Sequence, residues 1–455
     1  MMEILQKQQT FFKSQQTKDI TYRKQALIKL KQEITKREAD ICDAIYADFK
    51  KPRFESMAAE TQFVLAELNY VIKHLKKWAR PEKVSGALLN FPSSDWLYKE
   101  PYGTVLIVAP WNYPFQLAIA PLIGAIAAGN TAVIKPSEIT PNTSKIIVEI
   151  ITAVFSDAYV AVVEGGVEVS KNLLDQKWDY IFFTGSTKVG KIFYQSAAKH
   201  LTPITLELGG KNPAIVDTTA NIKLAAKRIV WGKFLNAGQT CIATDYILVH
   251  RDVKDKLIIA LQKSIEDSYG KNIEDSSDYA RTVSKNHFNN LNDLLEGQEI
   301  IFGGQTNAKD NYMAPTLVNE PSLDSKLMQG EIFGPILPII AYTTEEDIEK
   351  HIMNYGKPLA TYVFSTNRKF QQKIITKYSF GGGAINDTVI HITNKKLPFG
   401  GVGSSGIGAY HGKTSFDTFT HQKAIIKRAN WLEAPLRYPP YNLPLKLVEK
   451  VKHLF

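Results

Sequence analysis

Gly103-Thr104-Val105-Leu106-Ile107-Val108 opens the stretch on which the fold turns. An apolar helical pattern from Pro114 to Ala128 follows it, and then Thr131-Ala132-Val133-Ile134. A short run that is apolar throughout and rich in β-branched residues reads as a strand buried on both faces, and strand, helix, strand reads as a parallel pair joined by a crossover. The alternation continues downstream. Pro141-Asn142-Thr143 opens a helix through Ile146, Ile147, Ile150 and Ile151, Tyr159 to Val163 and Tyr180 to Phe183 read as strands, and Val189 to Ala198 is helical. This pattern predicts an α/β protein whose parallel sheet is covered on both faces.

Outside that stretch the character changes twice. Residues 1 to about 80 read as helices, with Leu27, Leu30, Ile34 and Ile41 on one face and Val64, Leu68, Val71, Leu75 and Trp78 repeating the spacing. Arg80-Pro81 ends that layer, because the residue before a proline avoids helical geometry. Glu82 to Lys99, carrying Gly86, Pro92, Ser93 and Ser94, reads as an arm or hairpin. A second α/β unit is expected from Gly209, beginning with the strand Pro213-Ala214-Ile215-Val216 and a helix from Ile222 to Phe234. The basic tail ends on an amphipathic pattern of Leu447, Val448, Val451, Leu454 and Phe455.

The chain has 455 residues, too many for one ordinary core, and its 44% hydrophobic and 22% charged content is that of a globular protein. Its net charge of +10 comes from 55 Lys and Arg against 45 Asp and Glu. The basic residues are scattered among acids, which reads as a solvated surface and not a nucleic-acid patch. Two cysteines, Cys42 and Cys241, supply neither a disulfide framework nor a metal ligand set. The N-terminus lacks an apolar secretory core, and prolines, glycines and asparagines break Thr104 to Ile134 into pieces too short to span a bilayer. A reduced, cytoplasmic protein is expected, with no transmembrane segment.

Two stretches carry chemistry. Asn236-Ala237-Gly238-Gln239-Thr240-Cys241 places a thiol on a tight connection between a helical pattern and the β-like run Tyr246 to Val249. A loop exposes one side chain while rigid flanks fix it, which suits a nucleophile; a lone cysteine is otherwise most often a small buried hydrophobe. Thr184-Gly185-Ser186-Thr187-Lys188-Val189-Gly190 joins a strand to a helix, where small residues let a phosphate approach free backbone N–H groups. It lacks the complete dinucleotide fingerprint and the lysine placement of a P-loop, so a simple tight turn stays open as a reading.

Taken together, the motifs resemble a family. Pro110-Trp111-Asn112-Tyr113-Pro114, Lys135-Pro136-Ser137-Glu138, Phe183-Thr184-Gly185-Ser186-Thr187, Glu207-Leu208-Gly209-Gly210, the Cys241 stretch, Glu331-Ile332-Phe333-Gly334-Pro335 and Pro398-Phe399-Gly400-Gly401 stand in the order found in the NAD(P)-dependent aldehyde dehydrogenase superfamily. The short N-terminus and Leu436-Arg437-Tyr438-Pro439-Pro440-Tyr441 resemble its class 3, or fatty aldehyde, branch; Thr244 departs from that branch, where proline is common. The resemblance implies a Rossmann-like cofactor-binding domain (1–81 and 99–208), an α/β catalytic domain (209–391), a small β oligomerisation arm with a returning segment (82–98 and 392–430) and a tail (431–455). It also implies a homodimer.

The same resemblance assigns the chemistry. Cys241 would attack an aldehyde carbonyl to give a thiohemiacetal, and the Asn112 amide with the Cys241 backbone N–H would hold the oxyanion. After oxidation to a thioester, water activated by Glu207 would release the acid, desolvation raising that carboxyl toward a useful pKa. Thr184, Gly185 and Ser186 would meet the pyrophosphate, Lys135 and Glu331 the ribose hydroxyls, and Phe333 the nicotinamide ribose. Glu138 beside the adenine ribose would repel a 2′-phosphate, so NAD is slightly favoured over NADP. Tyr113, Trp231, Ile392 and Phe399 would line a funnel for hydrophobic aldehydes. The rival readings are a CoA-acylating aldehyde dehydrogenase, which commonly lacks the glutamate base, and a cysteine hydrolase, which needs a histidine partner. The tail, with Lys446, Lys450 and Lys452, is expected to touch an anionic membrane surface or cap the funnel.

Overall fold

The structure, a computed structural model, describes residues 2–433, 437–441, 444–446 and 449. The expectations placed on Leu436, Leu447, Val448, Lys450, Val451, Lys452, Leu454 and Phe455 therefore lie outside the described residues.

Two parallel sheets carry the molecule. In the first, Val160–Val162, Thr131–Lys135, Thr104–Val108, Tyr180–Thr184 and Ile204–Glu207 lie side by side in that order, all parallel. The chain works outward from Thr104–Val108 through two crossovers, then returns to its other side. Strand order thus reverses between the carboxyl ends of Thr104–Val108 and Tyr180–Thr184, the place where open α/β sheets bind ligands. Every residue of those two strands is buried, which is why neither shows a polar alternation. Full burial of a side chain such as Ile107 or Phe182 is worth about 1.5–3 kcal/mol.

The second sheet runs Gly382–Ile385, Ala360–Phe364, Pro213–Val216, Tyr246–His250, Ile336–Tyr342 and Thr316–Asn319 in parallel, with Ile300–Phe302 antiparallel at its edge. The helix Gln116–Ala128 is buried at every position and lies in the core beneath the first sheet. Its Gly124 is required by close packing: a Cβ there would sit 2.9 Å from the Cβ of Ser415.

The N-terminal helices pack as the spacing predicts, with one amendment. Leu27, Leu30 and Ile34 face inward from Ile20–Lys36, but Ile41 belongs to a separate helix, Glu38–Phe49, because the chain breaks at Arg37. The helix expected from Pro114 starts at Gln116. Glu82–Val84 and Ser93–Pro101 pair as a hairpin, and Thr420–Arg428 adds antiparallel to the latter over its whole length. The returning segment from 392 does not all belong with that arm. Gly406–Ile407 joins the first sheet beside Ile204–Glu207, and Lys413–Thr418 packs on Gln116–Ala128. The glycines around 400–406 permit this: a Cβ at Gly401 would stand 2.1 Å from the Ser405 carbonyl oxygen. No helix among the described residues is long and apolar enough to cross a membrane.

Candidate active site

Asn112, Lys135, Thr184 and Glu207 lie at or just beyond the carboxyl ends of strands of the first sheet. Cys241 and Glu331 stand just before strands of the second. The site is therefore the seam where the carboxyl edge of one sheet meets the amino edge of the other.

The loop bearing Cys241 is held in a conformation that its sequence alone would not choose. Asn236, Ala237 and Gly238 have φ of 55°, 52° and 76°, three successive left-handed residues. Such backbone persists only where its surroundings dictate it, and functional sites are where it gathers. Here the restraints are explicit. The Asn236 N–H donates to Glu55 Oε2 at 2.9 Å, and Gln239 Oε1 accepts from the Val283 N–H at 2.9 Å while Gln239 Nε2 donates to the Arg281 carbonyl at 3.0 Å. Asn212 Nδ2 donates to the Cys241 carbonyl at 2.8 Å. Asn112 is tied to the same loop: its Nδ2 donates to the Gln239 carbonyl at 3.1 Å, and its own carbonyl accepts from Asn236 Nδ2 at 2.8 Å. One Asn112 side-chain N–H is thus committed to the loop that bears Cys241.

Cys241 and Glu207 open onto one cavity of about 540 Å³, with mostly apolar walls. Tyr113, Trp231, Ile392 and Phe399 all line it, and so do Thr240, Leu208 and Leu359. Phe399 is buried and Trp231 is 45% exposed, which puts one deep and the other near the mouth. The Tyr113 hydroxyl meets Thr240 Oγ1 at 2.7 Å, one residue from the nucleophile. Neither carboxylate oxygen of Glu207 has a hydrogen-bond partner among the described residues.

Burial sets the charge states. It pushes the Cys241 thiol up to about 12, with the Glu331 and Glu207 carboxyls adding to the effect. Burial alone holds Glu207 well above the usual carboxylate range. It also raises Glu331 to about 8, helped by Asp245. Burial thus pushes the free site toward a thiol and neutral carboxyls, with Lys211 and Lys233 opposing the shift at Glu331.

The residues expected to hold a dinucleotide form a cradle that suits one. Ser186 caps the helix Thr187–Ala198 by accepting from the Val189 N–H, and the first-turn amides of Thr187 and Lys188 have no intrahelical acceptor. A Cβ at Gly185 would lie 2.7 Å from the Phe183 ring, so the backbone stays bare there. Lys135 is buried and ion-paired with Glu138 at 2.5 Å, so the two act as a unit. Glu331 Oε1 is buried without a partner, the state of an acceptor that awaits a hydroxyl, and a Cβ at Gly209 would come within 1.9 Å of Oε2. Phe333, at φ 53°, stands edge-on to Trp111 at 5.2 Å, its carbonyl accepting from His287 Nε2 at 2.9 Å. Thr184 faces differently from its two neighbours: it is buried and lines the Cys241 cavity.

Several lining residues escaped the sequence reading. Phe54, Glu55 and Phe63 come from the N-terminal layer, where helical periodicity gave no hint of a wall. Burial lifts the Glu55 carboxyl to about 7. Gln116, Leu117 and Tyr410 were also missed; the first two lie in an apolar helix start, and Tyr410 follows a glycine-dense stretch.

Comparison with known proteins places the chain in a family. The family model described as the aldehyde dehydrogenase family matches residues 2–425. The chain is 51% identical over 441 residues to the 4,4'-diaponeurosporen-aldehyde dehydrogenase of Staphylococcus aureus, covering 96% of each chain. It is 44% identical over 431 residues to aldehyde dehydrogenase family 3 member A2 of Rattus norvegicus, covering 94% of this chain and 89% of that one. A solved structure titled as the substrate-bound state of Staphylococcus aureus AldH superimposes with a TM-score of 0.97 at 49% identity, over 99% of both chains. Matched so along its length, the chain belongs to the aldehyde dehydrogenase family, in its class 3 branch, whose members are NAD(P)-dependent oxidoreductases.

Proposed function

We propose that the protein oxidises a hydrophobic aldehyde, medium- or long-chain aliphatic or aromatic, to its carboxylic acid through a thioester on Cys241. One observation carries this reading: Cys241 and Glu207 share a single apolar cavity, and both oxygens of Glu207 are uncommitted. The Cys241 thiolate adds to the aldehyde carbon, and the remaining Asn112 N–H with the Cys241 N–H receives the negative oxygen. Bound NAD+ or NADP+ supplies the hydride acceptor, with Glu331, Phe333 and the Lys135–Glu138 pair as the ribose contacts and Ser186 near the phosphates. Glu207, once ionised, takes a proton from water that attacks the thioester. The apolar walls set by Phe54, Tyr113, Trp231, Ile392 and Phe399 favour alkyl or aryl chains, as does the likeness to a relative named for 4,4'-diaponeurosporen-aldehyde.

Octanal with NAD+ or NADP+, each with and without coenzyme A, tests the reading by near-UV absorbance. Reduced cofactor should accumulate without coenzyme A, and Cys241→Ser should remove it. Turnover only with coenzyme A would favour the acylating reading over Glu207 as base; turnover undiminished in Cys241→Ser would end the account. The protein is further proposed to act as a cytoplasmic homodimer joined through the arm sheet.

A further inference from the structure

Four buried polar side chains line the cavity of Cys241 with few hydrogen-bond partners among the described residues. Glu207 has none at either oxygen and Thr184 none at Oγ1, while Gln116 Nε2 and the Tyr410 hydroxyl have at most each other. All four line the cavity that holds Cys241, and all are more than nine-tenths buried. A buried donor or acceptor left unpaired costs about 1–3 kcal/mol, so a cluster of them on one cavity wall calls for a water or ligand as partner.

Each is fixed by rigid structure. Thr184 and Glu207 are cross-strand partners at the ends of adjacent parallel strands. The Gln116 N–H is held by Glu60 Oε2 at 3.2 Å in the first turn of its helix. Tyr410 stands edge-on to Phe399 and Phe182, with centroids 5.7 and 5.1 Å away, and exchanges two backbone hydrogen bonds with Phe399. The set is chemically complementary: an amide N–H donor, two hydroxyls that donate or accept, and one carboxyl. Desolvation, then Glu207 and Cys241, keep the Tyr410 phenol protonated and able to donate; only the nearby Gln116 amide opposes them.

We infer that Thr184, Gln116 and Tyr410 form, with Glu207, a binding site for the water that discharges the thioester, Gln116 and Tyr410 acting as positioning residues for deacylation. This rests on the proposed Cys241 thioester chemistry. A bound water needs two to four polar partners, and here four polar side chains line one cavity with the sulfur. The water oxygen bonds to the thioester carbon and one of its protons passes to the Glu207 carboxylate. The carbon–sulfur bond then breaks with its electron pair on Cys241, which regains a proton from Glu207 as the acid departs. Donation from Gln116 and Tyr410 also favours the ionised form of Glu207, through that water.

The test measures the lifetime of the acyl group on Cys241 by rapid quench and intact-protein mass spectrometry, with octanal and NAD+. Glu207→Gln is the reference that should trap the adduct. Tyr410→Phe and Gln116→Leu should lengthen the lifetime roughly tenfold to a hundredfold. They should leave the first equivalent of NADH at the wild-type rate and move the pH midpoint of deacylation upward. Hydroxylamine, a nucleophile that needs no base, should restore turnover. Lifetimes and pH profiles within twofold of wild type in both variants would overturn the inference, as would a slowed first equivalent that hydroxylamine fails to rescue. If Glu207→Gln traps no adduct on Cys241, the thioester reading itself fails, a separate outcome.

Discussion

A thiol raised to about 12, by burial first and then by Glu331 and Glu207, is a weak nucleophile near neutral pH. The neighbouring carboxyls therefore act as a brake in the free protein. Glu331, raised to about 8, carries its charge only above that pH, so the brake tightens as pH rises through this range. Glu331→Gln should increase the rate at which iodoacetamide alkylates Cys241 at pH 9 by roughly threefold to tenfold, a shift of about half to one pKa unit. Below pH 7, where Glu331 is already neutral, the variant and wild type should alkylate alike. A constant ratio across the range would remove Glu331 from the account. Glu207 makes a second case. Its pKa in the fold lies well above that of an unfolded chain, so it stabilises most at low pH and that contribution is lost as pH rises through the folded value. Glu207→Gln should accordingly raise Tm by more at pH 8 than at pH 6 while abolishing turnover. A lower Tm at both pH values would show that the carboxyl is doing structural duty unseen in its contacts.

Between residue and fold stands the element that seats the site from behind. Lys51 and Glu60 form a fully buried ion pair at 2.7 Å. Glu60 Oε2 also accepts from the Phe115 and Gln116 N–H groups at the start of the core helix, and Lys51 Nζ sits 3.7 Å over the Tyr113 ring. The pair thereby connects the N-terminal layer to Tyr113, Thr240 and the nucleophile loop. Removing one charge strands the other in an apolar interior, so Lys51→Met should cost about 3–5 kcal/mol. Adding Glu60→Gln should recover part of that, since the amide oxygen still accepts from the helix start. Thermal denaturation of the single and double variants checks this; a single variant as stable as wild type would refute it. This element was invisible in the sequence, because Lys51 and Glu60 lie in a stretch whose local composition marks only a solvated helix. What was legible had a local physical signature. Continuous apolar, β-branched runs such as Thr104–Val108 read as doubly covered strands, and the motifs around Cys241 and Glu207 drew attention to both residues. Walls assembled from residues distant in sequence, such as Phe54 and Phe399, leave no such trace. The returning segment misled for the same reason: a two-residue strand at Gly406–Ile407 is specified by its partner strand and not by its own pattern.

Across the whole molecule, the arm sheet ends in an open edge. Thr420–Arg428 is nine residues long and, among the described residues, pairs on one side only, with Ser93–Pro101. Strands left unpaired on one side are normally shielded or used, because their free N–H and C=O groups invite another strand. This one is not shielded by composition: Ile425 is 40% exposed and Ile426 55%, on opposite faces, and Trp431 beyond it is 74% exposed. The proposed homodimer would seat its second copy on these three apolar groups, by the logic of closed two-fold association. The residues placed in the reaction all come from a single chain. Breaking the contact should therefore separate assembly from chemistry. Ile425→Lys with Ile426→Lys should halve the mass measured by light scattering, from that of two 51.0 kDa chains to one. The first equivalent of NADH from octanal should form at the wild-type rate in the separated chain. A mass unchanged by the double substitution would place the contact elsewhere. A monomer that has lost the first equivalent would instead show that the second copy braces the seam between the two sheets, and that Cys241 depends on assembly for its geometry.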